Sequence, residues 1–415
     1  MSIKGDGMPG AHEPQVTEVQ ANGQCIKFPS VCAASFAHEH RLLPSSLTDH
    51  ANAHLFARIY EARFRHVAGL GWLTWDGFRW MRTGGERAAM RAIAEMALHF
   101  PDTDPRGVYS RQELAQHRDR TLSTTGMKTL LARAKAFPWL NLKPAALDGN
   151  RYTLCTPAGI VDLRTGQLRK PDRSRDLHSR VTQIAPQAMP TPRWSRFLAD
   201  TFGDESKGQE MIEYLRLLLG YSITGDVSAG LLPFLYGTGR NGKSVLLDTV
   251  SAILGDYAVV APPGFPDAWG SSGLIELHGR RLVVCSETRA NSPFDQARVR
   301  LLTGADMIKA PRMAQDTFSF HPTHHVWLLG NQCPQVPAED VAFWHRIRLL
   351  PFSRTVAADR CVDNLAFELV RDEGPGILQW LIGGAVRCLS GRYLLDGSGA
   401  RSSHHDPPHC EQRQR

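Results

Sequence analysis

A phosphate-binding loop pattern limits the fold of this chain more than any other feature. Residues 237–244 spell GTGRNGKS, which satisfies G-x-x-x-x-G-K-[ST]. An apolar run at residues 231–236 precedes this pattern, and a helical stretch toward Leu254 follows it. Loops of this kind join a strand to a helix in α/β domains. Short apolar strands alternate with helices over residues 231–352, which also favours a parallel sheet.

The residue types in the loop suit the phosphates of a nucleotide. Glycines let backbone N–H groups surround the β-phosphate, Lys243 neutralises charge on the β- and γ-phosphates, and the Ser244 hydroxyl ligates Mg²⁺ at the helix N-terminus. The loop alone does not identify the class of protein, because kinases, GTPases, packaging motors and helicases share it. The expected nucleotide-binding residues are Gly237, Thr238, Gly239, Arg240, Asn241, Gly242, Lys243 and Ser244.

Two later strands end in residues with catalytic chemistry. The segment HGRRLVVCSET predicts a strand followed by an acid, Glu287, which is expected to help hold Mg²⁺ through water and to polarise the attacking water. Ser286 stands where a generic strand of this type has Asp, and the alternative is a surface Glu after a core strand. HHVWLLGNQCP contains Asn331, which can orient the nucleophilic water without competing for metal. Asn next to Gly is also a common turn residue.

The order of these motifs resembles a known family. The phosphate loop, Glu287 and Asn331 are followed by FWHRIRLLPF, as in the superfamily 3 helicases of the phage and plasmid primase–helicase family, related to the poxvirus-type NTPase. The resemblance runs from about residue 46 to 393. It also rests on the segments GWLTWDGFRW, GIVDLRTGQL, LLGYSITGD, RLLTGADMI and PGILQW.

The resemblance implies an AAA+-like motor that hydrolyses Mg-ATP, assembles as a ring, usually hexameric, and moves 3′-to-5′ on single-stranded DNA. In such rings an arginine of one subunit reaches the γ-phosphate bound by its neighbour. The family has an Arg-Arg pair after a Trp, whereas here Trp344 is followed by His345 and Arg346. Arg346 is therefore the expected arginine finger, and Arg348 is the alternative.

The family also places a basic hairpin between the second and third motifs, and this hairpin projects into the ring channel. Lys309, Arg312 and His321 match that stretch, and they are expected to follow DNA phosphates without reading base sequence. Pro311 stands where the family has arginine, and Ala305 replaces the second glycine of a GGD pattern. These departures affect the expected grip on DNA and not the nucleotide loop.

The rest of the chain suggests the domain organisation. A mainly helical N-terminal domain with small β-hairpins is expected to precede the AAA+-like parallel-sheet motor. Gly, Pro, His and Ala enrichment at the start and an SSHHDPPH run at the end indicate disorder. The expected divisions are a disordered leader (1–45), the helical domain (46–150), a β-hairpin with a helical segment (151–225), the motor (226–360), a C-terminal helical segment (361–395) and a disordered tail (396–415).

Local patterns make these expectations specific. A helix is predicted after Ser46, with Ser46 or Thr48 as its cap. GWLTWDGFRW predicts a hairpin whose tryptophans fill a small core, with base stacking as the less favoured alternative. GIVDLRTGQLRK predicts a second hairpin with its turn at residues 165–166. Six basic residues follow phosphates or form a solvated face: Arg164, Arg169, Lys170, Arg173, Arg175 and Arg180.

Composition limits the classes of partner and the cellular compartment that are expected for this chain. The chain has 48 Lys+Arg against 41 Asp+Glu, a formal net charge of +7, which is compatible with a polyanionic partner. The eight cysteines form no CxxC pair, so neither disulfides nor structural zinc is expected. No apolar run reaches the length of a membrane span, and the N-terminus does not resemble a signal peptide. The expected location is therefore cytoplasmic, with no membrane partner.

Two other functions compete with an unwinding motor. One is a DNA-stimulated ATPase that loads or remodels a replication complex, or an inactive prophage remnant, without processive unwinding. The other is a P-loop small-molecule kinase, which would need an acceptor pocket and an arginine-rich lid, and nothing in the sequence after Ser244 demands either. The stretch before residue 46 is too short for a primase domain, so a separate primase or replication partner is expected.

Overall fold

The computed structural model describes residues 16–21, 24–29, 42–262, 270–286, 303–304, 306–312, 315–331, 344–355 and 362–391. Within these residues the chain forms two compact units. The first takes in the chain up to His66 together with Gly71–Gly77 and Arg82–Asn141, and the second contains most of the remainder.

A short hairpin lies in the segment where a disordered leader was expected. Strands β1 (Val16–Ala21) and β2 (Gln24–Pro29) pair antiparallel, with Val19 opposite Ile26. The two residues between them in the sequence are Asn22 and Gly23, the pair most typical of two-residue hairpin turns. The structure therefore has a strand pair within the segment expected to be a disordered leader, and the Asn-Gly signal in the sequence agrees with a hairpin.

The first unit is mainly helical, as expected. Thr48 caps α1 by accepting from the Ala51 N–H, which confirms the predicted start, and Trp72 packs with Phe56 in the core of this unit. The helices are α1 (Asp49–Ile59), α2 (Gly85–Leu98), α3 (Arg111–Leu122) and α4 (Thr124–Ala134). The strands in this part of the chain are β3 (Phe64–Val67), β4 (Gly71–Trp75), β5 (Trp80–Met81) and β6 (Asn141–Leu142).

The second unit begins with a small antiparallel sheet of β7 (Thr153–Thr156), β8 (Gly159–Asp162) and β9 (Leu168–Arg169). The predicted hairpin at residues 165–166 is confirmed, since Val161 lies opposite Leu168 and the Gly166 N–H donates to the Asp162 carbonyl at 2.7 Å. Two helices then lead to the phosphate loop: α5 (Pro192–Phe202) and α6 (Ser206–Ser222).

A five-stranded parallel sheet forms the centre of this unit and confirms the expected α/β layout. Its order is β11-β12-β15-β10-β16, and every described pair is parallel. The sheet strands are β10 (Leu232–Tyr236), β11 (Ala258–Val260), β12 (Leu282–Ser286), β15 (His325–Gly330) and β16 (Ile347–Pro351). The other elements are α7 (Lys243–Leu254), α8 (Gly270–Glu276), α9 (Leu365–Leu389) and the paired strands β13 (Ile308–Arg312) and β14 (Gln315–Phe320).

Both faces of the parallel sheet are covered. Alternate residues of β10 belong to different cores, Leu235 to one and Phe234 to the other, as the two-residue period of a strand requires. Helices α6, α7 and α9 pack on the first face, while α8 and the β13–β14 hairpin cover the second. Burial on both faces explains why the sheet strands are almost continuously apolar.

Of the helices in the described part of the chain, including the 25-residue α9, none combines the length and apolar character that crossing a bilayer requires.

Candidate functional site

The phosphate loop lies between the carboxyl end of β10 and the first turn of α7. Gly237 has φ +150°, and a Cβ there would lie 2.3 Å from the Phe352 carbonyl oxygen. Gly242 precedes α7 with φ +87°, in the left-handed region that glycine adopts without strain. The two pattern glycines are therefore required by close packing and by backbone conformation.

Lys243 is held inside the loop by neutral acceptors. Its Nζ donates to the Gly237 carbonyl at 2.5 Å and to Asn241 Oδ1 at 2.9 Å. Asn241 Nδ2 donates in turn to the carbonyls of Thr238 at 2.5 Å and Phe352 at 2.9 Å. Lys243 is only 7% exposed, and burial lowers the pKa of its ammonium group. A phosphate beside this ammonium would supply the opposite charge that these acceptors lack.

The remainder of the loop is open to solvent. Thr238, Gly239, Arg240 and Ser244 are exposed, and no side chain caps α7. The first-turn N–H groups of a helix without such a cap can bind an anion. Ser244 lies in that first turn, so its hydroxyl can reach a metal ion held by the phosphates. These donors fit a Mg²⁺-nucleotide.

Asn331 comes next to the loop through the strand order. Gly330 at the end of β15 lies opposite Tyr236 at the end of β10, so Asn331 and Gly237 leave neighbouring strands at the same level. The Asn331 side chain is exposed. The structure therefore brings these two predicted site residues to the same sheet edge.

Glu287 lies outside the described residues. The strand before it is described, and Ser286 at its end lies opposite Leu329 of β15. The expected strand is therefore present in the expected sheet, while the role of Glu287 stays a prediction.

Arg346 is not close to the phosphate loop of its own chain. It precedes β16, and its carbonyl accepts from the Leu232 N–H at the amino end of β10. The loop leaves the carboxyl end of that strand, five residues or about 16 Å away along β10. The half-buried Arg346 side chain donates from Nη1 to Thr303 Oγ1 at 2.8 Å.

The alternative finger, Arg348, is less accessible. Its side chain is buried, and Nη1 donates to the carbonyls of His345 and Ile347, each at 2.9 Å. This arginine is therefore part of the β16 packing.

The predicted DNA-binding residues lie on the β13–β14 hairpin. Lys309 is exposed and lies opposite Ser319, while its neighbours Ile308 and Ala310 are buried. His321 is exposed and follows Ser319 by two residues, so it falls on the same face as Lys309. Arg312 ends β13 beyond a register irregularity, and its side chain lies outside the described residues.

The basic segment of residues 164–180 is partly internal. Arg169 makes two hydrogen bonds of 2.6 Å to Asp176, and buried Arg180 donates to the His278 carbonyl at 3.0 Å. The guanidinium carbon of Arg164 lies 4.0 Å from the ring centroid of Tyr152. These three residues have roles in packing, which leaves the exposed Lys170, Arg173 and Arg175 for phosphate contacts or solvation.

Trp72 and Trp80 of the aromatic-rich segment are buried, in agreement with the expected packing role. Trp139, which no expectation from the sequence included, has a side chain that is 39% exposed. The available signal was an aromatic pair, Phe137 and Trp139, in a stretch with several lysines and arginines.

Two family models match this chain. "D5 N terminal like" matches residues 53–203, and a family of unknown function (DUF5906) matches residues 235–346. The second match begins within β10 and ends at Arg346, so it includes the phosphate loop and most of the parallel sheet.

Curated relatives include three viral proteins. "Putative helicase L207/L206" of Acanthamoeba polyphaga mimivirus is 26% identical over 216 residues, covering 50% of this chain and 22% of the relative. "Putative helicase 022R" of Frog virus 3 (isolate Goorha) is 27% identical over 176 residues, covering 40% and 18%. "Putative helicase 184R" of Invertebrate iridescent virus 6 is 25% identical over 239 residues, covering 54% and 24%. The chain thus spans less than a quarter of each relative's length.

Among solved structures, the apo structure of the NrS-1 C-terminal region matches with a TM-score of 0.40 and 13% identity, covering 51% of this chain and 52% of that chain.

The family models and the viral relatives agree with the resemblance carried by the phosphate loop and its downstream strands. These matches support the similarity of the chain to the phage and plasmid primase–helicase family.

Proposed function

We propose that this chain is the ATP-driven motor of a superfamily 3 DNA helicase, with an AAA+-like fold, that translocates on single-stranded DNA. The observation that carries the proposal is the loop between β10 and α7, with Lys243 buried inside it and Asn331 leaving the neighbouring strand at the same level. Helicase-like relatives support the same class of function.

The proposed roles follow from position and chemistry. Lys243 neutralises the β- and γ-phosphates of ATP, and the first-turn N–H groups of α7 bind phosphate oxygens. Mg²⁺ supplies charge neutralisation between these phosphates when it is bound through Ser244, with Glu287 contributing through water. Glu287 also polarises the attacking water, and Asn331 orients it toward the γ-phosphate.

The position of Arg346 favours action between subunits. It lies at the amino edge of the sheet, whereas its own loop lies at the carboxyl edge, so within one chain it cannot reach the γ-phosphate. In a closed ring, a neighbour's loop can face this amino edge. We infer a homo-hexameric ring in which Arg346 stabilises charge in the adjacent site during phosphoryl transfer.

The β13–β14 hairpin is the proposed contact with DNA in the ring channel. Its buried side packs against α8, and its other face exposes Lys309 and His321. Together with Arg312 these residues would follow phosphates without base specificity. We propose that the protein works in the cytoplasm with a separate primase or replication partner.

The test measures ATP hydrolysis by the purified chain with and without single-stranded DNA, followed by strand displacement on a forked duplex. The proposal expects DNA-stimulated hydrolysis and ATP-dependent displacement. Stimulated hydrolysis without displacement would instead support a loader or remodeller. Stimulation by a metabolite and not by DNA would support a small-molecule kinase. Glu287→Gln is expected to bind ATP but not to cleave it, and normal cleavage by this variant would contradict the proposed role of Glu287.

A further inference from the structure

An exposed group of rings lies on the first unit, away from any role assigned above. The aromatic patch consists of Phe137, Trp139, His50 and His54. The Phe137 and Trp139 rings are stacked, with centroids 5.0 Å apart and an interplanar angle of 29°. His54 meets Trp139 edge-on at 6.0 Å, and His50 lies 6.0 Å from Phe137.

The local structure holds this patch in place. His50 and His54 are four residues apart on α1 and therefore lie on one side of the helix, the side that contacts Phe137. After α4 the chain turns, with the Leu140 and Asn141 N–H groups both donating to the Phe137 carbonyl. Leu140 is fully buried, so the turn is anchored while Trp139 faces solvent. The rings are thus presented by two packed helices and a hydrogen-bonded turn.

The charge around the patch is one-sided. Residues 124–141, which belong to the first unit, contain three basic residues and no acidic residue. All three basic side chains are exposed: Lys128, Arg133 and Lys135. Arg58, four residues after His54 on α1, is also exposed. Proteins hold single-stranded nucleic acid with two features of this kind. Bases stack on solvent-facing aromatic rings, and basic side chains contact the phosphates.

We propose that the aromatic patch is a stacking platform for the unpaired bases of single-stranded DNA, with the cations of residues 124–141 contacting the adjoining phosphates. This inference rests on the proposed function, because the first unit would bind the same DNA strand that the motor moves. Charge favours this occupant over a protein with an apolar surface, which would have no anions to pair with these cations.

The experiment separates base contacts from phosphate contacts. Fluorescence anisotropy of the full chain, without nucleotide, compares a labelled oligothymidylate of about 20 nucleotides with an abasic oligonucleotide of equal length. Trp139→Ala is expected to weaken oligothymidylate binding about 5-fold to 150-fold, as loss of one stacked base predicts. Binding of the abasic strand should change little, because that strand has no base to stack.

Three variants serve as controls. Trp139→Phe keeps a ring and should bind oligothymidylate nearly as well as wild type. Leu98→Ala removes another exposed apolar side chain, on α2, and should leave binding unchanged. Lys128→Ala with Lys135→Ala should reduce the log–log salt slope by about 1.4, or 0.7 per contact, while preserving the preference for bases over abasic DNA. Circular dichroism checks that each variant is folded.

The outcomes are distinguishable. Equal weakening on both strands, or none, in Trp139→Ala would overturn the platform. Unchanged DNA binding combined with loss of self-association, seen by light scattering, would assign the patch to a subunit contact and also overturn it. If wild type showed DNA-stimulated hydrolysis in either case, the proposed function would stand without the platform. If wild type bound no single-stranded DNA at all, both would fail together.

Discussion

At the scale of single residues, Lys243 is a cation buried inside the loop between β10 and α7. Its ammonium group lies against two neutral oxygens, and burial lowers its pKa. A cation buried against neutral acceptors gains more from a phosphate than an exposed one, because the low local dielectric strengthens the attraction.

Lys243→Ala should therefore bind ATP weakly and lose at least about a hundredfold in hydrolysis, since the buried cation of the loop is gone. The measurements are ATP binding by calorimetry and phosphate release. Lys207→Ala removes an exposed lysine on α6 and should behave as wild type. Wild-type turnover by Lys243→Ala would remove the phosphate-loop assignment.

Asp148 is a buried carboxylate whose charge contributes to the stability of the fold. It accepts hydrogen bonds from the Ser179 N–H at 2.7 Å and the Ser179 hydroxyl at 2.5 Å, and its Oδ2 lies 3.6 Å from His278 Nδ1. Burial alone would raise the pKa of Asp148, but His278 and the Ser179 bonds outweigh it and the pKa is lowered. A lowered pKa means that the ionised form stabilises the fold above the unfolded-state pKa, and that this stability is lost as the pH falls.

Asp148→Asn is expected to reduce the free energy of unfolding by about 3 kcal/mol at pH 7, because it removes a buried carboxylate that accepts two hydrogen bonds from Ser179. The deficit should shrink as the pH falls below about 4, where wild type also loses the charge. Urea unfolding at several pH values measures this, with Asp119→Asn as an exposed control. A deficit that did not change with pH would mean that shape, and not charge, matters at this position.

At the scale of elements, local sequence signals decide where helices and hairpins begin. Helix α3 has a capping box, in which Ser110 accepts from the Glu113 N–H and Glu113 bonds back to the Ser110 N–H. Its sequence is so polar that hydrophobic periodicity did not predict it, and few of its residues, Leu114 among them, are buried. The capping box was the sequence signal for this helix, and burial of one narrow side explains why the helix is stable.

The β13–β14 hairpin is an element whose two faces have separate uses. Ile308, Phe318 and Phe320 are buried, while Lys309 is exposed between them in the two-residue alternation of a strand. The family resemblance implied a basic hairpin, and the register shows that Lys309 lies on its exposed face.

Lys309→Ala with Arg312→Ala should weaken single-stranded DNA binding and reduce the log–log salt slope by about 1.4, or 0.7 for each lost phosphate contact. The comparison variant, Lys170→Ala with Arg175→Ala, removes two exposed cations elsewhere in the second unit. Affinity measured over a salt series reports the slope. A change in the comparison variant alone would assign the DNA path to residues 164–180.

At the scale of the whole molecule, the parallel sheet separates the loop from Arg346. The phosphate loop and Asn331 leave the carboxyl edge, and Arg346 lies at the amino edge. If Arg346 acts as the proposed finger, this position makes activity depend on assembly, because a neighbour would complete each site.

Arg346→Ala should bind ATP almost normally and hydrolyse it poorly. Wild type mixed with an Arg346→Ala, Lys243→Ala double variant should lose activity more steeply than wild type mixed with Lys243→Ala alone. Both added subunits are inert, but only the double variant deprives its neighbour of the finger. The measurement is hydrolysis against mixing ratio, with co-assembly checked by light scattering. Identical curves would mean that Arg346 does not act across the subunit boundary.

The sequence by itself determined the features that depend on neighbours along the chain. The strand–loop–helix at residues 237–244, the Thr48 cap and the turn at residues 165–166 follow from backbone conformation and local hydrogen bonds, which a few adjacent residues settle.

Only the tertiary structure decided which distant residues meet and which side chains stay in water. The strand order sets Asn331 beside the loop and Arg346 on the far edge, although both follow the loop in sequence. Packing buries Trp72 and leaves Trp139 exposed, although both are tryptophans near basic residues. Burial depends on the surface that long-range pairing brings over a side chain, and a linear pattern does not contain that surface.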